Sequence, residues 1–172
     1  GLIAPLFSHM ALHANFMHIL FNSVWLLALG APVARRLGAG TAGAGVLPSS
    51  LFISFFALSG AAGALLYILF NLESGVLLVG ASGGVSGLLG AVIRFAFAGP
   101  VHFARGASNL TPLTDRRIII WSILIIVMNI FLAFFGGPGT GGSDIAWEAH
   151  VGGYLFGVIA FPLFDGFSRR YR

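Results

Sequence analysis

Five apolar stretches, each close to the roughly 20 residues a helix needs to cross a hydrocarbon layer, constrain this chain more than any other feature. They run over about residues 15 to 34, 47 to 70, 76 to 98, 117 to 136 and 147 to 165. Backbone polar groups placed in lipid must be satisfied inside the segment, so each stretch is expected to be helical. The fold class is therefore all-α, a polytopic bundle of transmembrane helices. Composition agrees: 58% of the 172 residues are apolar and 8% charged, against about 45–50% and about 25% in soluble domains. The mean hydropathy is +0.97, and a water-soluble domain of this size cannot hide so much apolar surface. Local chemistry marks the boundaries. Pro48 suits a first helical turn, Thr114 and Asp115 are N-cap residues for the fourth stretch, and Asn71 to Ser74 separates the second from the third. Gly136 to Gly142 closes the fourth, and Gly99 to Thr114 reads as a long loop.

The formal charge of +4 comes from nine cations, all Arg. They sit in short clusters between apolar runs, which fits membrane topology and not nucleic-acid binding. Alternating crossings put Arg35 and Arg36, then Arg105, Arg116 and Arg117, then Arg169, Arg170 and Arg172 on one side. Arg94 is expected to snorkel toward the same side from the third stretch. Glu73, Asp144 and Glu148 fall on the other. The positive-inside rule makes the Arg side cytoplasmic, with the C-terminus inside. Gly1 is then outside without a basic leader, which leads to the expectation that a further span precedes it. Arg-only cations with abundant Gly and Ala suggest a bacterial plasma (inner) membrane. The chain has no Cys, so disulfides and thiolate metal sites are excluded.

Polar side chains inside spans are costly and point to function. His18 and Asn22 lie in the first turns of the first span, Ser82 near the start of the third, and His150 near the start of the fifth. All three spans start from the outer side, so these residues reach a similar depth. His18 and Asn22 share a helix face at i, i+4, where both can donate to one oxygen or simply bridge helices. Gly80-Ala81-Ser82-Gly83 flanks a hydroxyl with small residues that let another backbone approach. Gly84-Val85-Ser86-Gly87 has the same form, and Ser82 lies one turn nearer the outer water. The same glycines make G-x-x-x-G packing pairs, as do Gly153 and Gly157. If the third and fifth spans pack through those faces, His150 can accept the Ser82 proton and activate a weak nucleophile. His9 and His13 have the i, i+4 spacing of a zinc pair but lack the general base of H-E-x-x-H, so no metal and no cofactor is expected. His102 reads as a solvated loop residue, and Trp25, Trp121 and Trp147 as packing or interfacial anchors.

Taken in order, His9, His13, His18, Asn22, Gly80 to Gly83 and Ala149-His150-Val151 resemble the rhomboid family of intramembrane serine proteases. The resemblance runs from about Pro5 to Phe164 and includes Arg35-Arg36-Leu37-Gly38. It implies a six-helix core, of which this chain carries five spans as a single domain over residues 1–172 without the first helix. It also implies a serine endopeptidase that cuts single-span membrane substrates near the outer face. By position, Ser82 is the nucleophile and His150 the general base and then acid. His18 and Asn22, with the Ser82 N–H, form the oxyanion hole. The family often carries an aromatic residue four positions after the nucleophile, stacked on the histidine. This chain has Ser86, so packing alone is expected to orient His150.

Two other classes fit parts of the pattern. A catalytically silent rhomboid-like protein would bind membrane clients without cutting them, and retention of both Ser82 and His150 argues against it. A small transporter could use broken Gly-rich helices, but pseudo-symmetric halves are not visible.

Overall fold

The structure, a computed structural model, describes residues 3–39, 45–73, 75, 77–98, 110–136 and 145–170. The expectations for Ser74, the 99–109 part of the long loop with His102 and Arg105, the 137–142 part of the glycine-rich break, Asp144 and Arg172 lie outside the described residues. The described residues form six α-helices. A short α1 (Pro5–Ser8) runs into a 3₁₀ turn (His9–Ala11), followed by α2 (Phe16–Arg36), α3 (Val46–Phe70), α4 (Ser82–Ala96), α5 (Arg116–Phe135) and α6 (Trp147–Arg170). Of these, α2, α3, α5 and α6 are long and apolar enough to cross a membrane. The helices match four of the expected spans to within a few residues at each end. Asp115 caps α5, accepting from the Arg117 N–H.

The third span is corrected. Helix α4 has 15 residues, about 22 Å at 1.5 Å per residue, against a hydrocarbon layer of about 30 Å. The apolar residues 77–80 before it are not helical. Hydropathy cannot separate an apolar helix from equally apolar non-helical chain, which is why the expected span began too early. Gly80 marks the break, with φ +114°, a region that L side chains avoid. Its N–H donates to the His9 carbonyl at 3.0 Å, so at Gly80 the N–H that no helix satisfies finds its partner in the protein.

Helix α4 packs against α2, α3 and α6. Val33, Leu37, Phe55, Leu88, Ala91 and Phe161 form a fully buried apolar cluster among these four helices. Helix α5 stands at the edge, with Ile118 as its one buried residue. The tightest contact joins α4 to α6. A Cβ on Gly153 would fall on the Gly83 carbonyl, and a Cβ on Gly157 on the Gly87 carbonyl. The two helices are therefore parallel and meet backbone to backbone, the arrangement that small-residue faces permit. Gly152, one position round the helix, has the Ala62 carbonyl of α3 2.8 Å from where its Cβ would lie. Helix α6 is thus wedged between α3 and α4.

The Arg-bearing end is held by charge. Asp165, 1% exposed, accepts from Arg36 Nε at 2.9 Å and from Arg169 Nη2 at 2.6 Å. Arg36 and Arg169 thus share one carboxylate, and the ends of α2 and α6 lie together. At the opposite end Asn71, after α3, donates to Glu148 of α6 at 3.0 Å.

Arg94 does not snorkel. It is 7% exposed and turns inward, donating from Nε to the Thr111 carbonyl at 2.9 Å and from Nη1 to the Val158 carbonyl at 2.7 Å. The cause lies four residues along α6. Pro162 has no N–H and leaves the Val158 carbonyl without its helical donor, and the guanidinium supplies one. We expect Arg94→Met to lower stability by about 2 kcal/mol, the scale of an orphaned buried carbonyl, measured by unfolding in mixed detergent micelles. Adding Pro162→Ala restores an N–H to Val158 and is expected to recover part of that loss. No recovery would place the effect of Arg94 elsewhere.

Candidate active site

The first turns of α2, α4 and α6 converge at one end of the bundle. In α2, Asn15 caps the helix by accepting from the His18 N–H at 2.8 Å, which sets His18 in the first turn. The His18 ring accepts from the Ala14 N–H at Nδ1, 3.3 Å, so in the neutral ring the proton sits on Nε2. The His13 ring packs edge-on against it, with centroids 5.1 Å apart. A Cβ on Gly80 would lie 2.7 Å from His18 Nε2 and 3.8 Å from Ser82 Oγ. Glycine at 80 therefore leaves the space through which His18 Nε2 approaches the start of α4. One turn deeper, Asn22 is 8% exposed and donates one amide proton to the His18 carbonyl at 2.9 Å. Its second amide proton is a further donor on the same face.

Ser82 is the first residue of α4. The first N–H groups of a helix have no partner within it and create positive potential at that end. His150 lies in the first turn of α6, on the same stripe as Gly153 and Gly157 at i, i+3, i+7. The glycine contact that clamps α6 to α4 therefore also turns the imidazole toward Ser82. His150 Nε2 and Ser82 Oγ are 2.7 Å apart.

The other ring nitrogen has a partner the sequence did not reveal. His150 Nδ1 is 2.8 Å from Asn129 Oδ1 on α5, and Asn129 Nδ2 donates to the Ile125 carbonyl at 2.8 Å. The expectation that packing alone orients His150 is corrected: a side-chain hydrogen bond holds it. One signal was present. Ser122 and Asn129 are the two side chains with a hydrogen-bond acceptor oxygen in the apolar run 118–135, seven residues apart and so on one helix face. Ser122 pairs with the Tyr154 hydroxyl at 2.7 Å, and Asn129 with His150.

The zinc-type spacing of His9 and His13 leads to a structural arrangement. His9 is buried at 7% exposure and its Nδ1 donates to the Pro5 carbonyl at 3.1 Å. Burial holds its imidazole below the ordinary value, against the upward pull of the Pro5 and Leu6 carbonyls. Among the described residues no three His, Asp or Glu side chains gather as a metal site. Ser86, the second G-x-S-G serine, lies one turn further along α4.

These helices and their buried polar cluster define an integral, multi-pass membrane protein with a hydroxyl and an imidazole hydrogen-bonded between two of its helices. Comparison with known sequences identifies the class further: the model of the rhomboid domain matches residues 2–165, and the chain belongs to the rhomboid family. It is 31% identical over 153 residues to rhomboid protease GlpG of Serratia proteamaculans, covering 88% of this chain and 45% of that protein. It is 32% identical over 152 residues to rhomboid protease GlpG of Yersinia enterocolitica, covering 88% and 45%. To RHOMBOID-like protein 5 of Arabidopsis thaliana it is 29% identical over 148 residues, covering 86% and 40%. The chain thus spans less than half the length of these curated relatives.

Proposed function

We propose that this protein is an intramembrane serine endopeptidase that hydrolyses peptide bonds of single-span membrane proteins near the outer face of a bacterial plasma membrane, its C-terminus in the cytoplasm. The observation that carries the reading is the 2.7 Å contact between Ser82 Oγ and His150 Nε2. With Nε2 unprotonated, His150 takes the Ser82 proton as Oγ attacks the scissile carbonyl carbon. The carbonyl oxygen becomes an oxyanion, and the donors on that side are His18 Nε2–H, the free Asn22 amide proton and the Ser82 N–H. His150 then passes the proton to the departing amine. Water, activated by the same imidazole, frees the acyl group and restores Ser82.

The depth of the site supports this reading. Helix α4 is shorter than the hydrocarbon layer, which leaves room for a nucleophile at its start to lie beneath the outer surface, within reach of a transmembrane substrate. Rhomboid protease relatives and the cluster of Arg36 and Arg169 at the far end of the bundle support protease activity and the orientation respectively.

A fluorophosphonate probe reports on an activated serine without knowledge of the substrate. Applied to the full chain in detergent micelles, it is expected to label the wild type and not Ser82→Ala. Undiminished labelling of that variant would remove Ser82 as nucleophile. A well-folded wild type that stays unlabelled and captures membrane clients intact would favour the silent, client-binding alternative.

A further inference from the structure

We infer that Asn129 is a positioning residue for His150, completing a Ser82, His150, Asn129 relay in which the carboxamide selects the productive tautomer of the imidazole. This inference rests on the proposed roles of Ser82 and His150, and on three hydrogen bonds in series. The Ile125 carbonyl accepts from Asn129 Nδ2. A carbonyl cannot donate, so the amide cannot flip without setting two acceptors face to face, and Oδ1 is committed to the His150 side. Oδ1 likewise only accepts, so His150 Nδ1 must carry the proton. A neutral imidazole has one N–H, which leaves the lone pair on Nε2, 2.7 Å from Ser82 Oγ. The backbone of α5 thus dictates, through one side chain, which nitrogen can take the serine proton.

Without that acceptor the ring is free to hold its proton on Nε2 and donate to Ser82 Oγ, an arrangement that cannot deprotonate the hydroxyl. Ser86, one turn beyond the nucleophile, offers no ring to hold the imidazole. Asn129 meets the need from a different helix. During proton transfer the Nδ1–H bond to Oδ1 also stabilises the imidazolium as it forms, and the amide stays neutral throughout. No atom of Asn129 bonds to substrate.

The alternative role is purely mechanical, the docking of α5 onto α6, and Ser122 provides the comparison. Its bond to Tyr154 ties the same two helices together without touching His150. Among the described residues, His18 on α2 is the titratable group whose charge bears on His150, Tyr154, one turn along α6, is held by Ser122, and Glu148, two residues before His150, is turned to Asn71. None of these changes on substitution at 129.

The test is the rate of fluorophosphonate labelling of the full chain in micelles across pH, for the wild type, Asn129→Leu, Asn129→Asp, Ser122→Ala and Ser82→Ala. Asn129→Leu is expected to slow labelling about 10-fold to 100-fold, a partial loss that reaches the lower end of the roughly 10²-fold to 10⁴-fold that general-base catalysis contributes. Ser122→Ala is expected to stay within twofold of the wild type. Asn129→Asp keeps the acceptor and adds charge beside the imidazolium, so it is expected to restore labelling and move the acid limb of the profile up by about one pH unit. An Asn129→Asp profile that superimposes on the wild type would overturn the inference, as would Ser122→Ala falling as far as Asn129→Leu. Should Asn129→Leu not fold, the Asn129→Asp shift decides alone. Loss of labelling in Ser82→Ala confirms that the assay reads the proposed nucleophile, and retained labelling there indicts the dyad itself.

Discussion

Exchange of His150 for alanine is expected to slow hydrolysis of a fluorogenic single-span substrate in liposomes by about 10⁴-fold to 10⁶-fold, the scale on which loss of one member of a nucleophile and base unit acts. The effect is large because, among the described residues, His150 Nε2 at 2.7 Å is the base hydrogen-bonded to the hydroxyl. The more demanding form of the prediction concerns the double variant. If Ser82 and His150 act as a unit, Ser82→Ala with His150→Ala is no slower than either single change. On the proposed roles, the remaining rate is expected to come from His18, Asn22 and the helix start, acting on the carbonyl during attack by water. Losses that multiply in the double variant, or a His150→Ala rate within tenfold of the wild type, would separate the imidazole from the reaction.

The second large effect is expected at a position that touches no substrate. Gly153→Val places a side chain on the Gly83 carbonyl. Backbone cannot yield there as a flexible side chain would, so α4 and α6 must move apart. Overpacking of this kind costs about 1–3 kcal/mol, and a shift of about 1 Å between reacting groups can by itself cost about 10²-fold in rate. Activity is therefore expected to fall at least 100-fold, with a lower midpoint of thermal unfolding. Gly166→Ala, on the same helix with open space around its Cβ position, is the matched control and should leave both near the wild type. Equal behaviour of the two variants would mean that the glycine contact does not set the distance from Ser82 to His150.

Much of this arrangement is legible in the sequence itself. Length and hydropathy located four helices, because lipid allows an apolar segment little other than a helix. The spacing of Gly153 and Gly157 against Gly83 and Gly87 gave a reason for the third and fifth spans to meet, and they do so with His150 and Ser82 brought to hydrogen-bond distance. What escaped was set by single partners distant in sequence. Residues 77–80 are as apolar as a span, and only the His9 carbonyl and the positive φ of Gly80 reveal that the helix has not begun. Arg94 looked like an interfacial cation until the carbonyl bared by Pro162 gave it an inward destination. Asn129 carries no motif linking it to a histidine 21 residues on. Its isolation in an apolar run was the available hint.

The bare contact between α4 and α6 has a consequence for how such a chain can change over generations. Where side chains interlock, a bulge on one surface can be accommodated by trimming the residue opposite, and successive exchanges let the pair drift. Gly83, Gly87, Gly153 and Gly157 have nothing left to trim. A bulky replacement at Gly153 or Gly157 meets the Gly83 or Gly87 carbonyl itself and admits no second-site suppressor across the seam, so recovery there requires reversion, and this part of the fold is a one-way commitment.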